Sequence, residues 1–237
     1  MHALQDRVTL VTGASRGIGR ATALALARAG ADVIAAARSR SQLETLADEI
    51  EAQTGRLALV CVADVSQEDD VNQMVRVGLE RFGKIDILVN NAGVRTSRVV
   101  LWETTLEEWD AMMAVNLRSA FLCCRAVLPG MIARQEGTII NVVSTVSQIG
   151  LENMSGYGAS KWGLLGMTKS LVKEARPHGI RVTALSPGGT DTTFRAGARP
   201  DYLAPETIAE TIVFIASLPP QAVVHDLVIR PMVETSF

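Results

Sequence analysis

Short, unbroken apolar runs alternate with amphipathic stretches from Val8 to Ile229, and no other feature constrains the fold of this chain as strongly. The pattern predicts strands at Val8–Val11, Val33–Ala37, Leu57–Val62, Ile85–Val89, Thr138–Val143, Ile180–Leu185 and Leu227–Ile229. Helical periodicity fills the intervals at Ile18–Ala29, Gln42–Gln53, Gln67–Phe82, Leu106–Ala133, Tyr157–Ala175 and Pro205–Ala216. A strand that is apolar at every position is buried on both faces, which calls for a parallel sheet sandwiched between helices. Parallel neighbours require a crossover helix, and such crossovers are nearly always right-handed. The expected fold is therefore a doubly wound, Rossmann-type α/β sheet. No repeat, low-complexity tract or linker interrupts the 237 residues, so one domain over 1–237 is expected.

The charge balance excludes several classes of function. The net charge is −2 with both signs interspersed, so no basic face points to nucleic acid and no basic tail to a membrane surface. No apolar stretch approaches the ~20 residues of a membrane span, and Met1–Arg7 does not read as a secretory leader. Cys61, Cys123 and Cys124 are few and odd in number, and the adjacent pair lies inside an apolar helical pattern. Helix packing is the favoured reading over a redox pair, and the expected location is a reducing cytoplasm. His2, His178 and His225 are scattered without ligand spacing, so no metal site is expected.

Directly after the first strand comes Thr12-Gly13-Ala14-Ser15-Arg16-Gly17-Ile18-Gly19, followed by an Ala/Leu-rich helix. Strand, glycine turn and helix N-terminus together make an anion site. Outward backbone N–H groups and the helix dipole favour negative charge, and glycines let a pyrophosphate approach the backbone. The spacing is Gly-x3-Gly-x-Gly, unlike the general Gly-x-Gly-x-x-Gly fingerprint, and no Lys-Ser/Thr pair follows to make the phosphate loop of nucleotide hydrolases.

That turn resembles the Thr-Gly-x3-Gly-x-Gly motif of the short-chain dehydrogenase/reductase family, and further motifs carry the resemblance along the chain. Asp64-Val65 ends the third strand, where the family places an acidic residue near the adenine. Asn90-Asn91-Ala92-Gly93 ends the fourth and matches the family's Asn-Asn-Ala-Gly. Asn116 falls in the next long helix, Ser144 follows the fifth strand, and Tyr157 and Lys161 stand at the family's Tyr-x3-Lys spacing. Pro187-Gly188-Gly189-Thr190-Asp191-Thr192 matches Pro-Gly-x3-Thr. The resemblance spans residues 12–192. It implies a coenzyme held by Gly13, Ser15, Arg16, Gly17, Ile18, Gly19, Arg38, Ser39, Asp64, Val65, Asn91, Ala92, Gly93, Tyr157, Lys161, Pro187, Gly188, Thr190 and Thr192. It also implies catalysis by Asn116, Ser144, Tyr157 and Lys161. One departure is the ending His225-Asp226-Leu227-Val228-Ile229-Arg230-Pro231, where most members carry a glycine pair. It is similar to the branch of small 3-hydroxy acid dehydrogenases and broad carbonyl reductases.

The chemistry is consistent with these residue types. A tyrosine phenol has a reference pKa of about 10, too high for easy proton exchange at neutral pH. Lys161, at i+4, shares its helix face, and a nearby ammonium favours phenolate. The family implies that Lys161 also holds the nicotinamide ribose and that Asn116 holds a water linking Lys161 to solvent. Ser144 offers a neutral donor to a substrate oxygen. Taken singly, Tyr157, Ser144 and Asn116 read as a core ring, a helix cap and a solvated side chain; only their joint spacing argues otherwise.

NAD binders place an acid at the end of the second strand, about twenty residues beyond the glycine turn. Here that position is Arg38, with Ser39 beside it and Arg16 within the turn, so NADP(H) is the expected coenzyme. Asp32 lies at the wrong end of the strand to serve as the ribose acid. The expected activity is NADPH-dependent interconversion of a ketone and a secondary alcohol on a small-molecule substrate. The alternatives are a 3-oxoacyl-thioester (carrier-protein) reductase, a non-catalytic NADP-binding sensor, and a nucleotide-sugar epimerase or dehydratase. Met154 is a candidate substrate contact, Met112-Met113 read as core, and Arg95, Arg98, Arg195 and Arg199 are candidate anion contacts or solvated loop residues. The short 193–204 segment implies an open pocket. Excess apolar residues at Ala120–Cys123 and at Trp162, Leu164 and Leu165 call for a second buried face on these helices, and the resemblance implies that they pair between subunits, giving a homotetramer.

Overall fold

The structure, a computed structural model, describes residues 3–95, 98–194 and 197–235. Seven strands form one wholly parallel sheet in the order β3-β2-β1-β4-β5-β6-β7. They are β1 Val8–Thr12, β2 Asp32–Ala37, β3 Ala58–Val62, β4 Ile87–Asn90, β5 Gly137–Val142, β6 Ile180–Pro187 and β7 Asp226–Ile229. Each predicted strand is present, with ends moved by one to two residues. Helices α1 Gly17–Arg28, α2 Arg40–Thr54, α3 Glu68–Phe82, α4 Leu106–Met113, α5 Ser119–Arg134, α6 Ser155–Ala175 and α7 Pro205–Ala216 carry the crossovers.

Because side chains alternate across a strand, the apolar runs feed two separate cores. Val33 and Ala35 of β2 face α1, α2 and α7, where they meet Leu26, Leu46, Ile208 and Ile212. Ile34 and Ala36 face the opposite layer, with Met74 of α3 and Leu122, Val127 and Met131 of α5. Both clusters are nearly closed to solvent, which is why these strands read as continuous rather than alternating.

The predicted helix Leu106–Ala133 is one helical rod, but not a uniform one. A capping box at Thr105 starts it, with Thr105 Oγ1 accepting from Glu108 N and Glu108 Oε2 accepting from Thr105 N, each at 3.2 Å. A π turn at Ala114–Arg118 then separates α4 from α5, a feature that apolar periodicity does not encode. The rod also corrects one expectation: Leu106–Arg134, at 29 residues, is long and apolar enough by length and composition to cross a membrane. Leu122, Cys123, Cys124, Val127 and Met131 supply the sheet-facing core, whereas Leu106, Phe121 and Ile132 stay exposed, and Arg118 and Arg125 interrupt the apolar run. Cys123 and Cys124 lie in that core as free thiols, with burial raising both pKa values, consistent with packing rather than redox chemistry.

The sheet order reverses direction between β1 and β4. At such a switch point the flanking crossovers leave on opposite faces, opening a crevice at the carboxyl ends of the strands. The site lies there.

Candidate active site

The glycine turn joins β1 to α1 with positive φ at Gly13 (66°) and Gly17 (55°), a region that side chains disfavour. A Cβ on Gly19 would collide with the Gly13 carbonyl and come within 2.5 Å of Asn91 Nδ2, so this glycine lets α1 close onto the turn. Asn91 from the end of β4 pins the turn in place, donating through Nδ2 to Thr12 O (3.0 Å) and Gly13 O (3.3 Å). Thr12 Oγ1 in turn accepts from Asn91 N and Ala92 N, both at 3.1 Å. No described side chain caps α1, which leaves its first N–H groups without a side-chain acceptor, and Gly17 and Ile18 of this first turn line the crevice. A glycine cradle, an uncapped helix start and flanking cations fit a dinucleotide phosphate.

The crevice encloses about 420 Å³ and is lined by the whole sequence-derived set except Gly19 and Asn116. Arg16 and Arg38 both line it, and Ser39 joins them at the start of α2. Asp32 is remote, as expected, paired with Arg56 at 2.8 Å at the other end of β2. Burial alone would raise the pKa of Asp64. Hydrogen bonds from Ser66 Oγ (2.7 Å) and Ser66 N (3.0 Å), helped by the charges of Arg38 and Arg118, hold it below its ordinary value. Asp64 therefore stays an acceptor facing the crevice.

On the other wall, α6 presents Tyr157 and Lys161 one turn apart, both largely buried. The Lys161 Nζ donates to Val142 O at 2.9 Å and lies 6.0 Å from the centre of the Tyr157 ring. Tyr157 packs on Val146, Met154 and Met112, with its ring 6.1 Å from that of Phe194. Ser144 lines the crevice and also caps the short turn Thr145–Ser147, accepting from Val146 N at 3.3 Å, so the capping role and the crevice position coexist. Asn116, in the π turn, lies behind the crevice. Its Oδ1 accepts from Val94 N (2.8 Å), and its Nδ2 donates to Val94 O (2.9 Å) and Ser160 Oγ (2.9 Å). It thereby fastens the Val94 backbone to α6.

Burial lowers the Lys161 pKa from 10.5 to about 8. Between those values the unfolded chain holds a proton that the folded chain releases, so this residue makes stability rise with pH. Below about pH 8 the folded chain carries the full cost of a buried ammonium. At pH 7 Lys161→Met is expected to be more stable than the native chain by on the order of 2 kcal/mol in urea denaturation, net of the lost Val142 hydrogen bond. The gain should shrink as pH rises towards 10.5; a constant difference would mean that Lys161 titrates normally.

The candidate anion contacts are dispersed. Arg95 stacks over the Phe194 ring at 5.7 Å and Arg98 Nη2 meets Met154 Sδ at 3.5 Å. Arg199 turns to Asp201 and the Tyr202 ring, and Arg195 lies outside the described residues. Met154 packs beneath Tyr157 instead of lining the crevice. Met112 is core as expected, whereas Met113 lines a surface groove. Sequence reasoning missed Ala37, Gln42, Ala63, Val94, Val115, Val142, Val143, Thr193 and Phe194 in the lining. Val115 and Phe194 neighbour motif residues Asn116 and Thr192; Gln42 had no signal beyond its place in the first turn of α2.

The short chain dehydrogenase family model matches residues 7–203. The chain is 40% identical over 235 residues to a 3-oxoacyl-[acyl-carrier-protein] reductase of Synechocystis sp., covering 94% of each chain. An alcohol dehydrogenase from the archaeon Thermococcus sibiricus, complexed with 5-hydroxy-NADP, superimposes with a TM-score of 0.89 at 32% identity, over 95% of this chain and 97% of that one. A metagenomic short-chain oxidoreductase in complex with NADP gives 0.88 at 35% identity, over 98% and 100%. From the glycine turn at β1 to the Tyr157–Lys161 pair on α6, then, the chain belongs to the short chain dehydrogenase family.

Proposed function

We propose that this chain is an NADPH-dependent carbonyl reductase, run in reverse as a secondary-alcohol dehydrogenase. One observation carries the reading: Tyr157, Lys161 and Ser144 open into the same crevice as the glycine turn and Arg38. The turn and the start of α1 would hold the pyrophosphate, and Arg16 and Arg38 the 2′-phosphate, with Asp64 near the adenine. When bound, NADPH supplies the hydride that converts a substrate carbonyl into an alkoxide. Ser144 Oγ–H stabilises the carbonyl oxygen as charge develops. The Tyr157 hydroxyl gives that oxygen its proton, and the Lys161 ammonium lowers the cost of the phenolate left behind. Asn116 keeps the wall beside Gly93 in register with α6.

The substrate class divides into two readings. A 3-oxoacyl thioester is favoured by the Synechocystis relative; a small keto acid or general ketone is favoured by the unusual ending of β7. Initial rates with NADPH on a panel of 3-oxoacyl thioesters, 3-keto acids and bulky ketones separate them. No turnover on any member would leave the sensor reading in possession.

We also propose a homotetramer. Leu164, Leu165 and Ala120 are absorbed within the chain, but Phe121 and Trp162 stay exposed beside a groove lined by Met113, Leu117 and Met167. A second copy presenting the same face would cover this apolar surface. Light scattering at micromolar concentration should give about four chain masses; a monomer mass ends the proposal. The free, buried thiols accord with a reducing, cytoplasmic setting.

A further inference from the structure

The turn Pro187-Gly188-Gly189-Thr190 follows β6 and forms one wall of the crevice through Pro187, Gly188 and Thr190. Two successive glycines make this wall conformationally permissive, so ordering it costs more entropy than ordering most turns. Its outer side is braced from distant segments. Gly188 N donates to Ile229 O (2.8 Å), and Leu203 N donates to Gly189 O (3.0 Å). Gly189 N donates to Glu234 Oε1 at 2.9 Å, across 45 positions of sequence. The other oxygen, Glu234 Oε2, accepts from Arg230 Nε at 3.2 Å. Both side chains are mostly buried, with 21% and 12% exposure. The carboxylate occupies the space that glycine leaves open. A Cβ on Gly188 would lie 2.5 Å from Glu234 Oε2, and one on Gly189 2.9 Å from Oε1.

We infer that Glu234 is a positioning residue for coenzyme binding, holding the Gly188–Gly189 wall in its binding conformation from outside the crevice. The inference rests on the NADPH reading above. A hydrogen bond from a backbone N–H to a carboxylate is about twice as strong as a neutral one, and here it satisfies an N–H that has its back to the crevice. Preordering the wall removes a cost that binding would otherwise bear. Arg230 fixes the carboxylate's orientation, so the tail after β7 acts on a site it does not line.

The test compares Glu234→Ala, Glu234→Gln and Glu234→Asp with the native chain. NADPH dissociation constants come from nicotinamide fluorescence, and amide exchange at Gly189 and Thr190 is followed in the coenzyme-free protein. Glu234→Ala should raise the NADPH constant about tenfold and speed exchange at Gly189, while turnover at saturating NADPH changes by less than about twofold. Glu234→Gln can still accept from Gly189 N through its carbonyl oxygen, but its amide nitrogen cannot accept from Arg230 Nε, so it should recover part of the affinity. Glu234→Asp keeps the charge but loses reach, so it should bind more weakly than Glu234→Gln, and this comparison decides the matter if Glu234→Ala does not fold. Native affinity in Glu234→Ala, or Glu234→Asp binding as well as Glu234→Gln, overturns the inference alone. A native chain without saturable NADPH binding overturns the coenzyme reading and this inference together.

Discussion

Replacing Tyr157 with phenylalanine is expected to lower turnover by at least ~100-fold while NADPH binding survives. The substitution removes a single oxygen. The ring keeps its packing on Met112, Val146 and Met154 and its approach to Phe194. The glycine turn lies on the other wall of the crevice and is untouched. What is lost is the only phenol that lines the crevice among the described residues; the other tyrosine, Tyr202, packs under Arg199 on the outer side of the Gly189 turn. Lys161 does not replace the phenol in place, because its Nζ is anchored on Val142 O, 6.0 Å from the centre of the ring. Single-turnover rates and fluorescence titration, made on the same preparation, separate chemistry from binding. Near-native turnover in the phenylalanine variant would remove Tyr157 from the mechanism.

Arg38→Asp should reverse the coenzyme preference. The native chain is expected to use NADPH with higher catalytic efficiency than NADH, because a guanidinium pairs with a 2′-phosphate through charge-assisted hydrogen bonds. An aspartate there loses the pair and adds repulsion, together about 3 kcal/mol or more, or roughly 100-fold in efficiency with NADPH. Efficiency with NADH should change much less, since the new carboxylate can accept from the ribose hydroxyls. Arg16 lines the same crevice and is expected to limit the loss, so Arg16→Ala combined with Arg38→Asp should fall further. A second consequence is electrostatic. The charge of Arg38 helps hold the Asp64 carboxyl low, so its removal should move that pKa upward, measurable by NMR titration. Equal native efficiencies with the two coenzymes, or an unchanged preference in the variant, would show that Arg38 does not read the phosphate.

The sequence by itself determined the sheet. Val33, Ile34, Ala35 and Ala36 are apolar without interruption because two cores claim alternate residues, and burial on both faces leaves few arrangements besides a parallel, helix-covered sheet. It also located most of the residues that line the crevice, since a strand end followed by a glycine turn or an Asn-Asn-Ala-Gly run is a local pattern. What local pattern cannot carry is contact between segments far apart in the chain. Asn116 was legible as a residue but not as a fastener of Val94 to Ser160, because that role exists only once the π turn aims its amide between two other elements. The loop arginines read from sequence as anion contacts or solvated residues, and only the tertiary structure sends Arg199 to Asp201 and Tyr202 and Arg98 to a methionine sulfur. Helix Leu106–Arg134 likewise passes for a membrane span by length and composition, and only the tertiary structure shows that Leu122, Cys123, Cys124, Val127 and Met131 pack on the sheet. Glu234 left no trace in the pattern at all. A carboxylate can brace a turn 45 residues away only where two glycines have left room for it, and that fit is decided in three dimensions.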